Sequence, residues 1–174
     1  MITFKNFGLT FRTVVESDAG FILNLRNDSE LSKHLSFVPS SLKLQIDWID
    51  QYKKKEAVGA EFYFITEDSN GNPLGLNRLY NFEGESFEIG SWIFNKNLEI
   101  SIPILSDLAI RDYGFEVLKF KSCHFNVDKK NKSVLKYHKM FNPNLVNETE
   151  NAYFFTLDYA SYKITRDKLL NTFL

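Results

Sequence analysis

The sequence has one cysteine, Cys123, among 174 residues. It can form neither an intrachain disulfide nor a cysteine metal cluster, and a reducing cytoplasm is the expected location. The three histidines, His34, His124 and His138, are widely spaced and unmatched to acidic partners, so no metal is expected. Neither sign of charge is in excess, with 21 Lys and Arg against 22 Asp and Glu. A net charge of −1 argues against a general nucleic-acid binder, which is usually basic. No apolar run approaches the about 18 residues of a membrane span, so no membrane insertion is expected. The opening MITFKNFGLTF lacks a signal-peptide apolar core. There is no linker, repeat or low-complexity tract, which predicts a single domain over residues 1–174.

Aromatic residues are plentiful at 16%, mainly 17 Phe and 8 Tyr. They supply an ample core and material for an aromatic-lined cleft. Alternation and β-branched content predict strands at 9–15, 61–67, 74–82, 87–94, 119–127 and 152–158. Helical spacing and caps predict helices at 19–26, 42–56, 104–117, 130–140 and 159–173, with a short one at 30–35. Strands 61–67, 74–82 and 87–94 read as an antiparallel meander. The helix at 104–117 then makes a crossover that sets strand 119–127 parallel to 87–94. The expected fold is α+β, three layers (α/β/α), around a mixed, mostly antiparallel sheet of about six to seven strands. The organising stretch is 87–115, a strand, a loop and a helix start. Such a helix start offers unpaired N–H groups to a diphosphate.

In this order of elements the sequence resembles the GCN5-related N-acetyltransferases (GNAT), an acyl-CoA N-acyltransferase-like fold. Three stretches carry the resemblance: Glu88-Ile89-Gly90-Ser91-Trp92-Ile93, the helix ending Tyr113-Gly114-Phe115, and Asn131-Lys132-Ser133-Val134 running to His138. More narrowly, Leu25-Arg26-Asn27, Gln45-Ile46-Asp47-Trp48-Ile49, Asn77-Arg78-Leu79-Tyr80, Gly90-Ser91-Trp92-Ile93 and Tyr137-His138 are similar to bacterial enzymes of surface-polysaccharide biosynthesis that acetylate a nucleotide-linked amino sugar. The resemblance implies acetyl-CoA as co-substrate and direct attack of the acceptor amine on the thioester. Acetylation of a protein N-terminus or a small polyamine is the enzymatic alternative. A non-catalytic module that kept only the fold is the alternative of another class.

The resemblance implies a cofactor site formed by Trp92, Ile93 and Phe94 on the strand, by Glu99, Ile100, Ser101 and Ile102 at the helix start, and by Asn131. The family's diphosphate loop reads Arg/Gln-x-x-Gly-x-Gly/Ala. This chain has Leu98 to Pro103 there instead, without glycine and with an added negative charge at Glu99. The lysines at 129, 130, 132, 136 and 139 stand near the expected phosphate position, or form a solvated helix face. Alternation places Glu88 with Gly90 and Trp92, opposite Phe87 and Ile89. A carboxylate within a sheet among apolar neighbours suits a general base, or else forms a structural ion pair. His138 lies seven residues after Asn131, where the family often has a tyrosine that protonates the leaving thiolate. An imidazole there can act as acid or base, and Tyr137 is the substitute one residue away. In this fold Arg26, Asn27, Arg78 and Tyr80 come from elements that line the acceptor cleft, where Arg suits a nucleotide diphosphate; otherwise Arg26 forms a surface salt bridge and Arg78 pairs at the strand edge. His124 reads as structural, and His34 as a surface residue or else a lining of the acceptor pocket. Cys123 reads as a poor nucleophile, with no cation beside it. The aromatic strand at 152–158 suits either a homodimer contact or the core.

Overall fold

The alternating stretches form the strands they predict. The computed structural model, which describes residues 1–174, gathers eight strands into one sheet. In chain order they are β1 (Thr3–Asn6), β2 (Leu9–Thr13), β3 (Phe62–Glu67), β4 (Pro73–Glu83), β5 (Ser86–Phe94), β6 (Ser122–Asp128), β7 (Asn144–Glu148) and β8 (Ala152–Asp158). The helices are α1 (Ala19–Asn27), α2 (Leu42–Ala57), α3 (Ser101–Asp112), α4 (Lys132–Lys139) and α5 (Tyr159–Phe173). The spatial order is β1-β2-β3-β4-β5-β6-β8-β7. Only β5–β6 is parallel. The α+β fold with a mixed, mostly antiparallel sheet is therefore present, with eight strands rather than six or seven.

The two extra strands lie at the sheet edges, where sequence signals are weakest. β1 joins β2 through Phe7 and Gly8, with φ of 50° and 76°. Positive φ at both positions is the primed turn that matches strand twist. A phenylalanine in that region is uncommon, so the turn is invisible to residue preference. β7 is exposed at every position, so no buried face imposes alternation on it. The short helix expected at 30–35 does not form. The Asp28 carboxylate instead accepts the Glu30 and Leu31 amides at 3.0 and 3.2 Å, a local turn that competes with helix.

Two cores flank the sheet. Phe62 and Phe64 of β3 point into the larger core with α3, α4 and α5. Tyr63 and Ile65, alternate residues of the same strand, join Ile49 and Tyr52 of α2 in the smaller one. A central strand buried on both faces has this pattern. The strand at 152–158, expected to serve a dimer contact or the core, contributes to the core. β8 pairs with both β6 and β7, and Phe155 and Leu157 belong to the larger core. No helix is long and apolar enough to cross a membrane.

The crossover is closed by one tight contact. α3 runs on into a wider π turn, Tyr113–Val117, which brings Gly114 against Phe87. A Cβ on Gly114 would lie 2.5 Å from Phe87 Cζ, a buried ring. Gly114→Ala is therefore expected to lower unfolding stability by about 1–3 kcal/mol through overpacking, measured by urea denaturation. Unchanged stability would mean that helix and strand separate freely there.

β5 and β6 pair only at Ser86↔Ser122, Phe87↔Cys123 and Glu88↔His124. Beyond that point β5 has no partner on its β6 side. The gap that opens there positions the site.

Candidate active site

A chamber of about 460 Å³ fills the gap between the diverging strands, with Glu88, Gly90 and Trp92 on one wall and Phe125, Asn131 and His138 on the other. A second chamber of about 300 Å³ adjoins it on the side of α1 and α2. Arg26, Ser36, Arg78 and Ser91 line both, so the two form one continuous cleft.

The register of β5 shapes this cleft. Leu76 of β4 faces Ile93, but Arg78 faces Gly90, so β5 carries one extra residue between them. That bulge centres on Ser91, whose φ is 52°. It corrects the expected face assignment. Simple alternation put Trp92 beside Glu88, whereas the extra residue turns Trp92 onto the Phe87 side. There it packs on the larger core, lies 5.0 Å from the Tyr137 ring and donates from Nε1 to the Pro103 carbonyl at 3.0 Å. The Ile93 and Phe94 side chains enter the two cores, leaving only backbone to face the gap.

Glu88 sits where the strands part. Its carboxylate accepts the Tyr80 hydroxyl and the Asn81 amide, each at 2.7 Å. It is a hydrogen-bonded carboxylate at the chamber wall, not one surrounded by apolar side chains as expected from sequence. Burial, with Glu88 second, pushes the Tyr80 phenol up, so Tyr80 stays a donor. Gly90 leaves room for this pair, since a Cβ there would approach the Tyr80 hydroxyl to 2.8 Å.

His138 is buried in the opposite wall. Its Nδ1 is 3.3 Å from Arg111 Nη2, and its ring is 4.5 Å from Phe125. Desolvation, reinforced by the Arg111 charge, pushes the imidazole down to about 3. At that value the ring carries no imidazolium proton near pH 7, which weighs against the acid role, one of the two expected for it. Tyr137 is no substitute. Its hydroxyl is committed to Asp107 at 2.8 Å, and burial raises it well above the usual phenol range.

Asp107 and Arg111, absent from the sequence reading, tie this wall together. Both are buried, and Arg111 Nε meets Asp107 Oδ2 at 2.8 Å. Their i, i+4 spacing was visible, but the same spacing marks ordinary surface pairs. Arg111 Nη1 is 2.9 Å from Cys123 Sγ, so Cys123 does have a cation beside it. Burial nonetheless pushes its thiol up to about 11, and the conclusion that it is a poor nucleophile stands on that ground.

At the helix start, the Ile102 amide bonds the Glu99 carbonyl at 3.0 Å, and Pro103 has no N–H. The amides of Ile100 and Ser101 have no backbone partner. Glu99 and Ile100 are exposed. The gap, the unpaired β5 edge and these two amides fit a CoA arm and diphosphate, though with fewer donors than a glycine loop. Asn131 lines the chamber while its side chain caps α4, accepting from Val134 N at 3.3 Å. In the basic run, Lys129 pairs with Glu148, and the exposed Lys130, Lys132 and Lys136 make no ion pair.

On the acceptor side, Arg26 donates to the Ser36 carbonyl and hydroxyl at 2.7 and 3.0 Å, and its buried Nε has no partner. Arg78 spends Nε and Nη2 on the buried Glu61, at 2.6 and 2.5 Å, and its guanidinium lies over Trp48 and Tyr80. Asn27 does not reach the cleft. It follows Arg26 by about 100° around α1 and is exposed. His34, expected on the surface or in the acceptor pocket, lines the larger chamber and lies 3.4 Å from Asp128. His124 bonds Ser86 at 2.8 Å and stays outside that chamber.

The acetyltransferase (GNAT) domain profile matches residues 8–140. The chain belongs to the GNAT family of N-acetyltransferases. Among solved structures it is similar to FdhC, a nucleotide-linked sugar GNAT, with 31% identity, 99% of each chain covered and a TM-score of 0.87. The GNAT fold is shared with the Vibrio cholerae spermidine N-acetyltransferase, solved with CoA and spermine (19% identity, 91% of this chain and 99% of that one, TM-score 0.77). It is shared too with a ribosomal-protein-S5-alanine acetyltransferase from Vibrio fischeri (14% identity, 91% and 97%, TM-score 0.77). Among curated proteins none matches this sequence. The gap between β5 and β6 and the chamber beside α1 and α2 are the two parts of the cleft in this GNAT fold.

Proposed function

We propose that this GNAT enzyme transfers an acetyl group from acetyl-CoA to the amine of a nucleotide-linked amino sugar used in a bacterial surface polysaccharide. The charge and lining of the acceptor chamber carry the reading. Arg26 and Arg78 line it, and no carboxylate does. A polyamine needs carboxylates, whereas a nucleoside diphosphate needs cations. The chamber also presents Phe37 and Trp48, both exposed, and the buried Gln45. Aromatic faces suit a nucleobase, and an amide suits its polar edge. The similarity to FdhC supports the same class of acceptor.

In this reading the acceptor amine reaches the gap past Arg26 and Ser91, and Glu88 takes its proton. The unpaired β5 edge aligns the CoA arm and fixes the thioester beside the amine. A thiol-release assay with acetyl-CoA tests the reading directly. Turnover of UDP- or dTDP-linked amino sugars with none of spermidine is expected, and the reverse preference would overturn it. Trp48→Ala is expected to raise KM for the nucleotide sugar about 10- to 100-fold, the loss of one base-stacking face, with KM for acetyl-CoA unchanged.

A further inference from the structure

Arg111 is fully buried on α3, facing His138 and away from the acceptor chamber. A guanidinium carries donors only. At 3.3 Å from His138 Nδ1, its Nη2–H can only donate, so Nδ1 is an acceptor and a neutral ring carries its proton on Nε2. The guanidinium cannot turn to offer anything else. Nε is held by Asp107 Oδ2 at 2.8 Å and Nη1 by Cys123 Sγ at 2.9 Å. Asp107 is in turn fixed by the Tyr137 hydroxyl on the same oxygen. Groups from α3, α4 and β6 thus surround the imidazole: Asp107, Arg111, Tyr137 and Cys123. The only buried side-chain polar atoms without a partner are Arg26 Nε and Asn77 Nδ2. His138 Nε2 has no hydrogen-bond partner, so it opens onto the chamber that the residue lines.

We infer that Arg111 is a positioning residue that locks His138 as the neutral Nε2–H tautomer and so presents a fixed hydrogen-bond donor to the acetyl-transfer chamber. This use of the donor rests on the proposed acyl-transfer reading of that chamber. The amine lone pair forms the C–N bond, and the C–S bond breaks with its electron pair on sulfur. Glu88 takes the amine proton, and the thiolate leaves unprotonated and gains its proton from solvent. His138 keeps its own proton throughout. Its N–H stabilises charge growing on the departing sulfur, as a preorganised donor does.

The test begins on the full chain without substrate. Long-range ¹H–¹⁵N spectra of protein labelled at histidine read the tautomer directly. His138 is expected to show only the Nε2–H pattern, unchanged from pH 5 to 8. An Nδ1–H pattern, a mixture, or protonation in that range would overturn the inference, whatever acceptor the enzyme uses. Two variants then read the donor. His138→Gln can accept from Arg111 and donate into the chamber, and is expected to keep kcat within about tenfold of the unsubstituted enzyme. His138→Leu is expected to lose about 100-fold or more. Equal losses in the two variants would remove the donor role. Arg111→Lys, which keeps the charge but not the planar fork, is expected to mix the tautomers of His138.

Discussion

Exchange of Glu88 for glutamine is expected to lower kcat/KM by roughly 10²–10⁴-fold with the fold intact. The shape of the side chain is unchanged, and an amide oxygen can still accept from the Tyr80 hydroxyl that now sits 2.7 Å away. What disappears is the lone pair that takes the amine proton in the proposed reaction. The new amide nitrogen also meets the Asn81 side-chain amide, now a donor to Glu88 at 2.7 Å, so one of the two bonds is lost. Stability is expected to change by no more than about 1 kcal/mol for that bond. Steady-state thiol release across pH, with a parallel urea titration, reads both quantities. A variant within threefold of the unsubstituted enzyme at every pH would remove Glu88 as the base. A large loss of stability would mean that its role is structural.

The buried imidazole predicts a steep loss of stability on mild acidification. His138 is held down to about 3 in the folded protein, by desolvation first and Arg111 second, against an ordinary 6.5. Between those values the unfolded chain binds the proton and the folded chain does not. Stability therefore rises with pH in this window, is fully present above about pH 6.5, and falls as pH drops below it, by about 1.4 kcal/mol per unit. Denaturation at pH 7 and pH 5 is expected to differ by about 2 kcal/mol more in the unsubstituted protein than in His138→Gln. Asp28, Asp68, Asp128 and Asp158 are held below the usual carboxylate range by hydrogen bonds, so they lose their contribution only at lower pH. Burial raises Asp112, which opposes the trend, but equally in both proteins. Equal pH dependence in the two would show that His138 protonates freely in the fold.

Much of this molecule was legible before folding. The meander, the crossover helix and the late helix over Tyr159–Phe173 follow from apolar periodicity, because each buries a face against one sheet. Glu88, His138, Asn131, Arg26, Arg78 and Tyr80 were all found from sequence, and all line the cleft. What they do there was less legible. His138 was expected to act as acid or base, and its neutral state comes first from burial and then from the charge of Arg111, 27 positions away. Arg78 was expected either to offer its fork to a ligand or to pair at the strand edge, and half of that fork is bound to Glu61.

The stretch from Phe87 to Phe115 shows the division. Its residue pattern alone determined a strand, a loop and a helix, and put a carboxylate near the strand's middle. Periodicity records which face of an element is buried, and that is a local property. The tertiary structure decided the rest. It placed an extra residue at Ser91, turned Trp92 to the other face and parted β5 from β6 after Glu88. It also buried Asp107 and Arg111 beneath His138. Those outcomes depend on which distant groups share a low-dielectric interior, where an ion pair, a tautomer and a register constrain one another.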